Sequence, residues 1–210
     1  MTDWLNPLAT LIASFGGAWA AFKLQARDKA HDTRRANVIA TNRILLTMMQ
    51  QANTLKLYQK DQIDPHRDSP GRHFQIRATL PYEFEGLRFE FTSVEFFDTA
   101  AEQQTLFELS VEERRVIETL RAINARSNLL LSEVDPKLAS AAFLDGGSYT
   151  GADLMEALGQ PLCNKLKRLT DDVVELVDKN TISIVEMKDK FRSMAKVRYP
   201  DQKFVDFEFP

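Results

Sequence analysis

The chain has 210 residues, with 27 Lys or Arg and 30 Asp or Glu, which gives a formal net charge of −3 at pH 7. Its lone cysteine, Cys163, excludes an intramolecular disulfide framework and fits a reducing compartment. The charge is uneven, because residues 23–60 carry eight basic against two acidic side chains and residues 61–210 carry nineteen against 27. The acidic remainder argues against direct binding of nucleic acid, which requires a basic face.

The N-terminal segment, residues 4–22, has nineteen positions without a charged side chain. A helix of that length spans roughly 28 Å, close to the hydrocarbon core of a bilayer. The basic residues that follow are Lys23, Arg27, Lys29, Arg34 and Arg35. Because basic residues stay on the cytoplasmic side, the pattern predicts a single-pass membrane anchor over residues 1–23, with the N-terminus outside and the bulk of the chain in the cytoplasm. We expect the basic side chains to contact lipid headgroups.

Two alternatives for this segment are an interfacial helix and a buried core helix, because Asn6, Pro7 and many Ala and Gly make its hydrophobicity modest. Small residues recur within it at four-residue intervals, and they are Ala9, Ala13, Gly17 and Ala21. Such rows let helix backbones approach closely, which predicts self-association of the anchor. In a helix rich in Ala and Gly any register forms a row, so composition alone is the other explanation.

Residues 24–60 form a second region that lacks Pro and Gly and is dominated by helix formers. Its apolar positions follow a heptad spacing, and the seam includes Val38, Leu45, Met48 and Leu55, with Thr41 and Ala52 between them. The pattern predicts a long basic helix that continues the anchor. The seam either joins copies of the chain or packs on the chain's own domain.

Residues 61–210 form the third predicted region, an acidic and mainly helical domain. Apolar and polar residues alternate in residues 74–80, 87–91 and 205–209, which predicts a minor β element of two or three strands.

Helices are predicted from a capping box at Ser110–Glu113, from Asp135-Pro136, and from Thr150 or Asp153. Two more are predicted over residues 162–177 and 182–197. The predicted fold is therefore a mainly α protein, in which a transmembrane helix continues into a long helix and then a helical bundle.

No catalytic, cofactor or metal-binding motif occurs in the sequence, which predicts a protein that is not an enzyme. Two segments are candidates for binding an anion or a nucleotide. One is irregular and basic and contains Arg67, Arg72, His73 and Arg77, and the other is a loop before a helix that contains Gly146, Gly147 and Ser148. The alternative for both is an ordinary solvated loop.

The stretch from Leu106 to Asn128 reads LFELSVEERRVIETLRAINARSN. Together with the apolar N-terminus and the basic helix, it resembles a loose class of small bacterial membrane-anchored proteins of uncharacterised function. This layout is similar to that of membrane effectors in bacterial antiviral defence. The resemblance implies an inner-membrane protein that self-associates and whose cytoplasmic helices sense a partner or ligand.

Three functional hypotheses follow from these patterns. The first is this non-enzymatic homo-oligomer in contact with the lipid bilayer. The second is a tethered adaptor or scaffold for a protein partner. The third is a cytoplasmic domain that binds a nucleotide or another anion. None of them requires a cofactor.

Overall fold

The computed structural model of the chain describes the backbone of residues 5–141 and 150–206 and the side chains of residues 14–141 and 150–206. It is mainly helical, at 82%, and this part contains no strand. Its α-helices are α1 (Leu5–Tyr58), α2 (Arg72–Gln75), α3 (Ala100–Leu129), α4 (Asp135–Ser140), α5 (Gly151–Leu158) and α6 (Gln160–Arg198). The fold is therefore all-α, and the helical-bundle prediction is confirmed.

Three long helices form the bundle, and α6 packs against both α1 and α3. Asn180 of α6 donates to Thr119, and Ser183 donates to Glu112 further back along α3, so these two helices run antiparallel. Asn37 of α1 donates to Tyr199 just after α6, and Gln59 just after α1 donates to Asp178 within α6, so these two helices are antiparallel as well. Helices α1 and α3 are thus parallel to each other and antiparallel to the central α6.

The heptad seam of α1 lies inside this bundle. Leu45, Met48 and Leu55 are almost completely buried in the main hydrophobic core, and Val38 packs at its edge. Thr41 and Ala52 are buried between them. Leu45, Met48 and Leu55 therefore contact the chain's own helices and keep almost no exposed surface, whereas Val38 stays partly exposed.

Both α1 and α3 end in a π-helical turn, Gln59–Ile63 and Leu130–Val134, and each turn is followed by Asp-Pro. Proline has no N–H, and its ring clashes with the carbonyl four residues earlier. The helix widens ahead of it, so that Asp64 N–H bonds the carbonyl of Gln59, five residues back. The two parallel helices therefore stop at the same end of the bundle for the same local reason.

Residues 76–99, which we call the strap, run back along α1 and α3 without forming a strand. Their backbone groups bond helix side chains instead: Asn124 accepts from Tyr82 N–H at 2.9 Å and donates to its carbonyl, and Gln51 donates to the Leu87 carbonyl at 2.6 Å. The predicted β element is therefore wrong in the described residues. Ile76 and Phe89 of the alternating apolar residues are buried, whereas Leu80 is 88% exposed. The third predicted strand extends into residues 207–209, outside the described chain.

Aromatic side chains hold the strap on the bundle. Phe97 is fully buried, and its ring lies 5.8 Å from that of Phe191 in α6. Phe89 and Val94 are buried in the same core. The strap thus takes the place that a fourth helix has in a four-helix bundle.

One buried charge fixes where the strap begins. Arg126 of α3 is fully buried, and its Nε donates to Thr170 of α6 at 2.8 Å. The rest of the guanidinium donates to three carbonyls, at 2.6 Å to Ile76, 3.2 Å to His73 and 3.4 Å to Arg77. A single side chain therefore joins α3, α6 and the start of the strap.

The environment of this guanidinium is neutral. Burial lowers the pKa of Arg126, and the neighbouring Tyr58 side chain acts in the opposite direction. Burial also raises the pKa of Tyr58, so the phenol stays protonated at neutral pH. Backbone dipoles therefore stabilise the buried charge.

The prediction of a membrane anchor is wrong. Among the described residues, no helix has a stretch long and apolar enough to cross a membrane. The physical reason is that an uncharged run is not necessarily apolar: eleven of the eighteen residues 5–22 are Ala, Gly, Ser, Thr, Asn or Pro, which bury little apolar area each. The predicted single-pass location in an inner membrane, with the N-terminus outside, is therefore wrong as well. The contact of the basic residues with lipid headgroups stays a prediction.

Several helix boundaries differ from the predicted ones. Helix α3 begins ten residues before Ser110, at a capping box formed by Thr99 and Glu102. Ser110 lies within the helix, where its hydroxyl bonds the Phe107 carbonyl at 2.7 Å. The two helices predicted over residues 162–197 form one continuous helix, α6. The cap at Thr150 with Asp153 is confirmed.

Replacing Arg126 with Met should lower the free energy of unfolding by about 3 kcal/mol. Three buried carbonyls lose their donor at roughly 1–3 kcal/mol each, and part of that loss is offset because no charge remains buried. Urea unfolding followed by circular dichroism measures the difference. The control is Arg121→Met on the same helix, where the exposed side chain pairs with Glu118 and the change should stay within about 0.5 kcal/mol. Equal losses in the two variants would contradict the role of Arg126.

Candidate functional site

The N-terminal half of α1 projects from the bundle, and we call its residues 14–33 the arm. Every side chain of the arm is exposed. Twenty residues of helix extend about 30 Å. The arm exposes three large aromatic side chains, with Phe15 at 71%, Trp19 at 65% and Phe22 at 72%. An isolated helix is marginal in water, and an apolar surface of this kind marks an interaction site.

The small-residue row predicted to mediate self-association lies partly on the arm. A Cβ built on Gly17 or on the neighbouring Gly16 meets no atom within 4 Å, so no residue that the structure describes packs against that face. Ala21 belongs to the same exposed stretch. Ala9 and Ala13 lie on α1 before the described side chains. The described part of the row is therefore open to another molecule.

The arm also carries the basic residues that follow the aromatic ones. Lys23, Arg27 and Lys29 are exposed, and the Lys23 ammonium lies 4.5 Å above the Trp19 ring. This distance is that of a cation–π interaction. At the base of the arm, Arg35 is exposed, whereas Arg34 is partly buried and reaches Asp201 at 3.4 Å. The arm thus combines aromatic and cationic groups on one helix.

An open depression of about 650 Å³ lies where the arm leaves the bundle. It is lined by Lys29, Arg34 and Asn37 of α1 together with Arg198 and Tyr199. Arg34 lies 5.8 Å from the centre of the Tyr199 ring. These contacts fix the base of the arm against the end of α6.

The predicted anion site is brought together only in part, and its charges are paired. Arg67 bonds Asp178 at 2.7 Å and Asp64 at 2.8 Å, and Arg72 bonds Asp171 at 2.6 Å. These ion pairs fasten the segment after α1 to α6. Their carboxylates occupy the guanidinium groups that an anion would need.

Of the other members of that predicted site, His73 lines the same depression as Arg67 and Arg72, and Arg77 does not. Burial and the nearby Lys167 lower the pKa of His73, which keeps the imidazole neutral at pH 7. Arg77 is exposed, and its carbonyl bonds Arg126. Gly146, Gly147 and Ser148 of the predicted loop lie outside the described residues.

A second surface, which the sequence reasoning missed, lies between α3 and α6, and we call it the groove. Its volume is about 420 Å³. Apolar groups come from Phe107, Val111 and Met187, and polar groups from Glu108, Glu112, Arg115, Ser183, Glu186 and Lys190. Phe107 is 62% exposed, and on its other side α3 borders a further depression of about 520 Å³.

Glu112 gives the groove a specific chemistry, because its side chain is only 4% exposed. One carboxylate oxygen, Oε2, accepts from Ser183 at 2.7 Å and from Arg115 at 3.2 Å. The other oxygen, Oε1, is buried and has no hydrogen-bond partner. Buried carboxylate oxygens normally accept a hydrogen bond, so this one is suited to a donor from outside the chain.

The sequence held one indication of the groove. Leu109, Val116, Leu120 and Ile123 form the buried stripe of α3, and Phe107 does not belong to it. Once the helix is known to begin at Ala100, Phe107 is a large aromatic side chain on the outer face. The boundary predicted at Ser110 placed Phe107 in a loop, so Phe107 could not be assigned to a helix face.

The described residues offer little for covalent or metal chemistry. They contain no group of three His, Cys, Asp or Glu side chains arranged to hold a metal ion. Cys163 is buried, and burial raises the pKa of its thiol, which disfavours the reactive thiolate.

No protein-family model, curated protein or solved structure matches the chain. Its function therefore has to follow from its own geometry.

Replacing Asp178 with Asn should lower the free energy of unfolding by about 1 kcal/mol at pH 7, because it removes the charge that holds Arg67. The hydrogen bond from Arg67 lowers the pKa of Asp178 below its usual 3.8. This stabilisation is therefore present above that pH and is lost as the pH falls through the folded-state pKa. Urea unfolding at several pH values should show the difference from wild type shrinking below about pH 4.

The control for this experiment is Glu175→Gln, which breaks the exposed pair with Lys179 on the same helix. That change should cost about 0.3 kcal/mol. A difference between Asp178→Asn and wild type that is unchanged down to pH 2 would contradict the assignment.

Proposed function

We propose that this chain is a non-catalytic helical protein that self-associates through the arm, and that its helical body serves as a binding scaffold. The observation that carries the proposal is the complete exposure of residues 14–33, with three large aromatic side chains among them. Burying such side chains against a partner contributes roughly 1.5–3 kcal/mol each. The helical body, by which we mean the bundle and the strap without the arm, does not cover these aromatic side chains. Its hydrophobic core is complete without the arm.

A second copy is favoured as the partner because the arm has an open face of small residues beside its aromatic ones. Gly16 and Gly17 leave room for close approach of another helix or loop, and Phe15 and Trp19 supply the apolar area. A net positive stretch at residues 23–60 and a net negative one at residues 61–210 also attract each other between copies.

The test is the mass of the full chain, measured by sedimentation equilibrium over a range of concentrations. Wild type should form an oligomer, and Trp19→Glu should raise the dissociation constant about 30-fold or more, as loss of a central aromatic side chain does. Gly17→Leu should weaken association too, because the leucine fills the open face. The leucine should not disturb the fold of the single chain, because a Cβ built on Gly17 meets no atom within 4 Å.

The matched control is Leu80→Glu on the strap, where the leucine is 88% exposed and the arm is not involved. It should leave the oligomer unchanged. A monomeric wild type at all concentrations would overturn self-association. In that case the arm is an adaptor surface for a different protein.

A further inference from the structure

The groove between α3 and α6 leaves an aromatic side chain uncovered and a carboxylate oxygen without a hydrogen-bond donor. Phe107 stands exposed beside the groove, so apolar cover is missing. Glu112 Oε1 is buried without a donor, so a hydrogen bond is missing as well. Val111 lines both depressions that flank Phe107, which makes the two depressions one continuous surface. A suitable ligand carries an apolar ring with a cation or N–H donor close to it.

The arm carries this combination of groups. Phe15, Trp19, Lys23 and Arg27 are four residues apart, so they lie on one face of α1 as two aromatic groups followed by two cations. All four are exposed. The Lys23 ammonium lies over the Trp19 ring, so a cation and an apolar ring are presented together. The stripe is about 18 Å long, since twelve residues of helix rise by that distance.

The groove that receives this stripe has to belong to another copy. Helix α1 is continuous from Leu5 to Tyr58, so the arm extends away from its own bundle and cannot fold back on it. No residue of the arm lines the groove. The arm of one copy and the groove of another are therefore complementary surfaces left open on the same molecule.

We propose that the stripe formed by Phe15, Trp19, Lys23 and Arg27 of one copy lies in the groove of a second copy. The Trp19 ring covers Phe107, and Lys23 donates to Glu112 Oε1. This inference rests on the proposed self-association and specifies its contact. Because the two surfaces differ, the contact is heterologous. Copies either exchange arms in a closed assembly or form an open-ended filament.

The test uses disulfide formation between single-cysteine full-length chains that also carry Cys163→Ala. One chain carries Ala20→Cys beside the stripe, and the other carries Glu186→Cys at the edge of the groove. The two are mixed under mild oxidation with oxidised glutathione. The heterodisulfide between the two chains should be the main product. The matched control is Leu131→Cys, which is exposed near the far end of the same bundle and should give no heterodisulfide with Ala20→Cys.

The outcomes separate this inference from the proposed function. An Ala20→Cys homodisulfide without the heterodisulfide shows that arms pair with each other, which overturns the groove contact and keeps self-association. An oligomer with no disulfide has the same meaning. A monomer with no disulfide overturns both.

A second measurement tests the role of Glu112 itself. Glu112→Gln keeps the side chain's shape and should raise the dissociation constant of the oligomer about tenfold, the loss expected for one charged hydrogen bond. Glu175→Gln on α6, which breaks an exposed pair with Lys179 and lies outside both depressions, is the control and should leave the dissociation constant unchanged. Thermal unfolding of each variant shows whether the fold is intact. Equal affinities for Glu112→Gln and wild type would overturn the assigned contact.

Discussion

The bundle depends on one buried positive charge whose hydrogen-bond acceptors, among the described residues, are all neutral. Arg126 is fully buried and donates to Thr170 and to three carbonyls, that of His73 in α2 and those of Ile76 and Arg77 at the start of the strap. Removing such a charge from water is costly unless every donor finds an acceptor, so the chain has to place those carbonyls around it. That requirement fixes the segment from His73 to Arg77, and from there the strap runs back along α1 and α3.

The strap in turn decides which surfaces remain open. Because it fills the space beside α1 and α3 with Phe89, Val94 and Phe97, the core is closed without using the first part of α1. Residues 14–33 are left without cover, and so is the outer face of α3 around Phe107. The same packing that completes the body therefore produces two unsatisfied surfaces, one aromatic and cationic, the other apolar with a buried acceptor. Their complementarity is the physical basis of the proposed assembly.

Local patterns in the sequence predicted the local features. The seam positions Leu45, Met48 and Leu55 and the cap at Thr150 follow from helical period and capping chemistry, and both occur in the structure. Contacts between residues far apart in the sequence could not be predicted from such local patterns. Arg67 and Arg72 seemed free to bind an anion because their partners, Asp178 and Asp171, lie 111 and 99 residues further along the chain. The alternation in the strap was assigned to strands because a pattern shows which side is buried and not what the backbone bonds. The anchor was predicted from the absence of charge, which overestimated the hydrophobicity of Ala and Gly.

The central claim is that the arm is covered only by another copy of the chain, and hydrogen exchange of the amides in residues 14–33 tests it most directly. At high protein concentration these amides should be protected, because association buries and stabilises the helix. On dilution below the dissociation constant their exchange should become fast, while the core of the body, including the segment around Arg126, keeps its protection. Arm amides that exchange equally fast at every concentration, in a chain whose body is folded, would contradict the account.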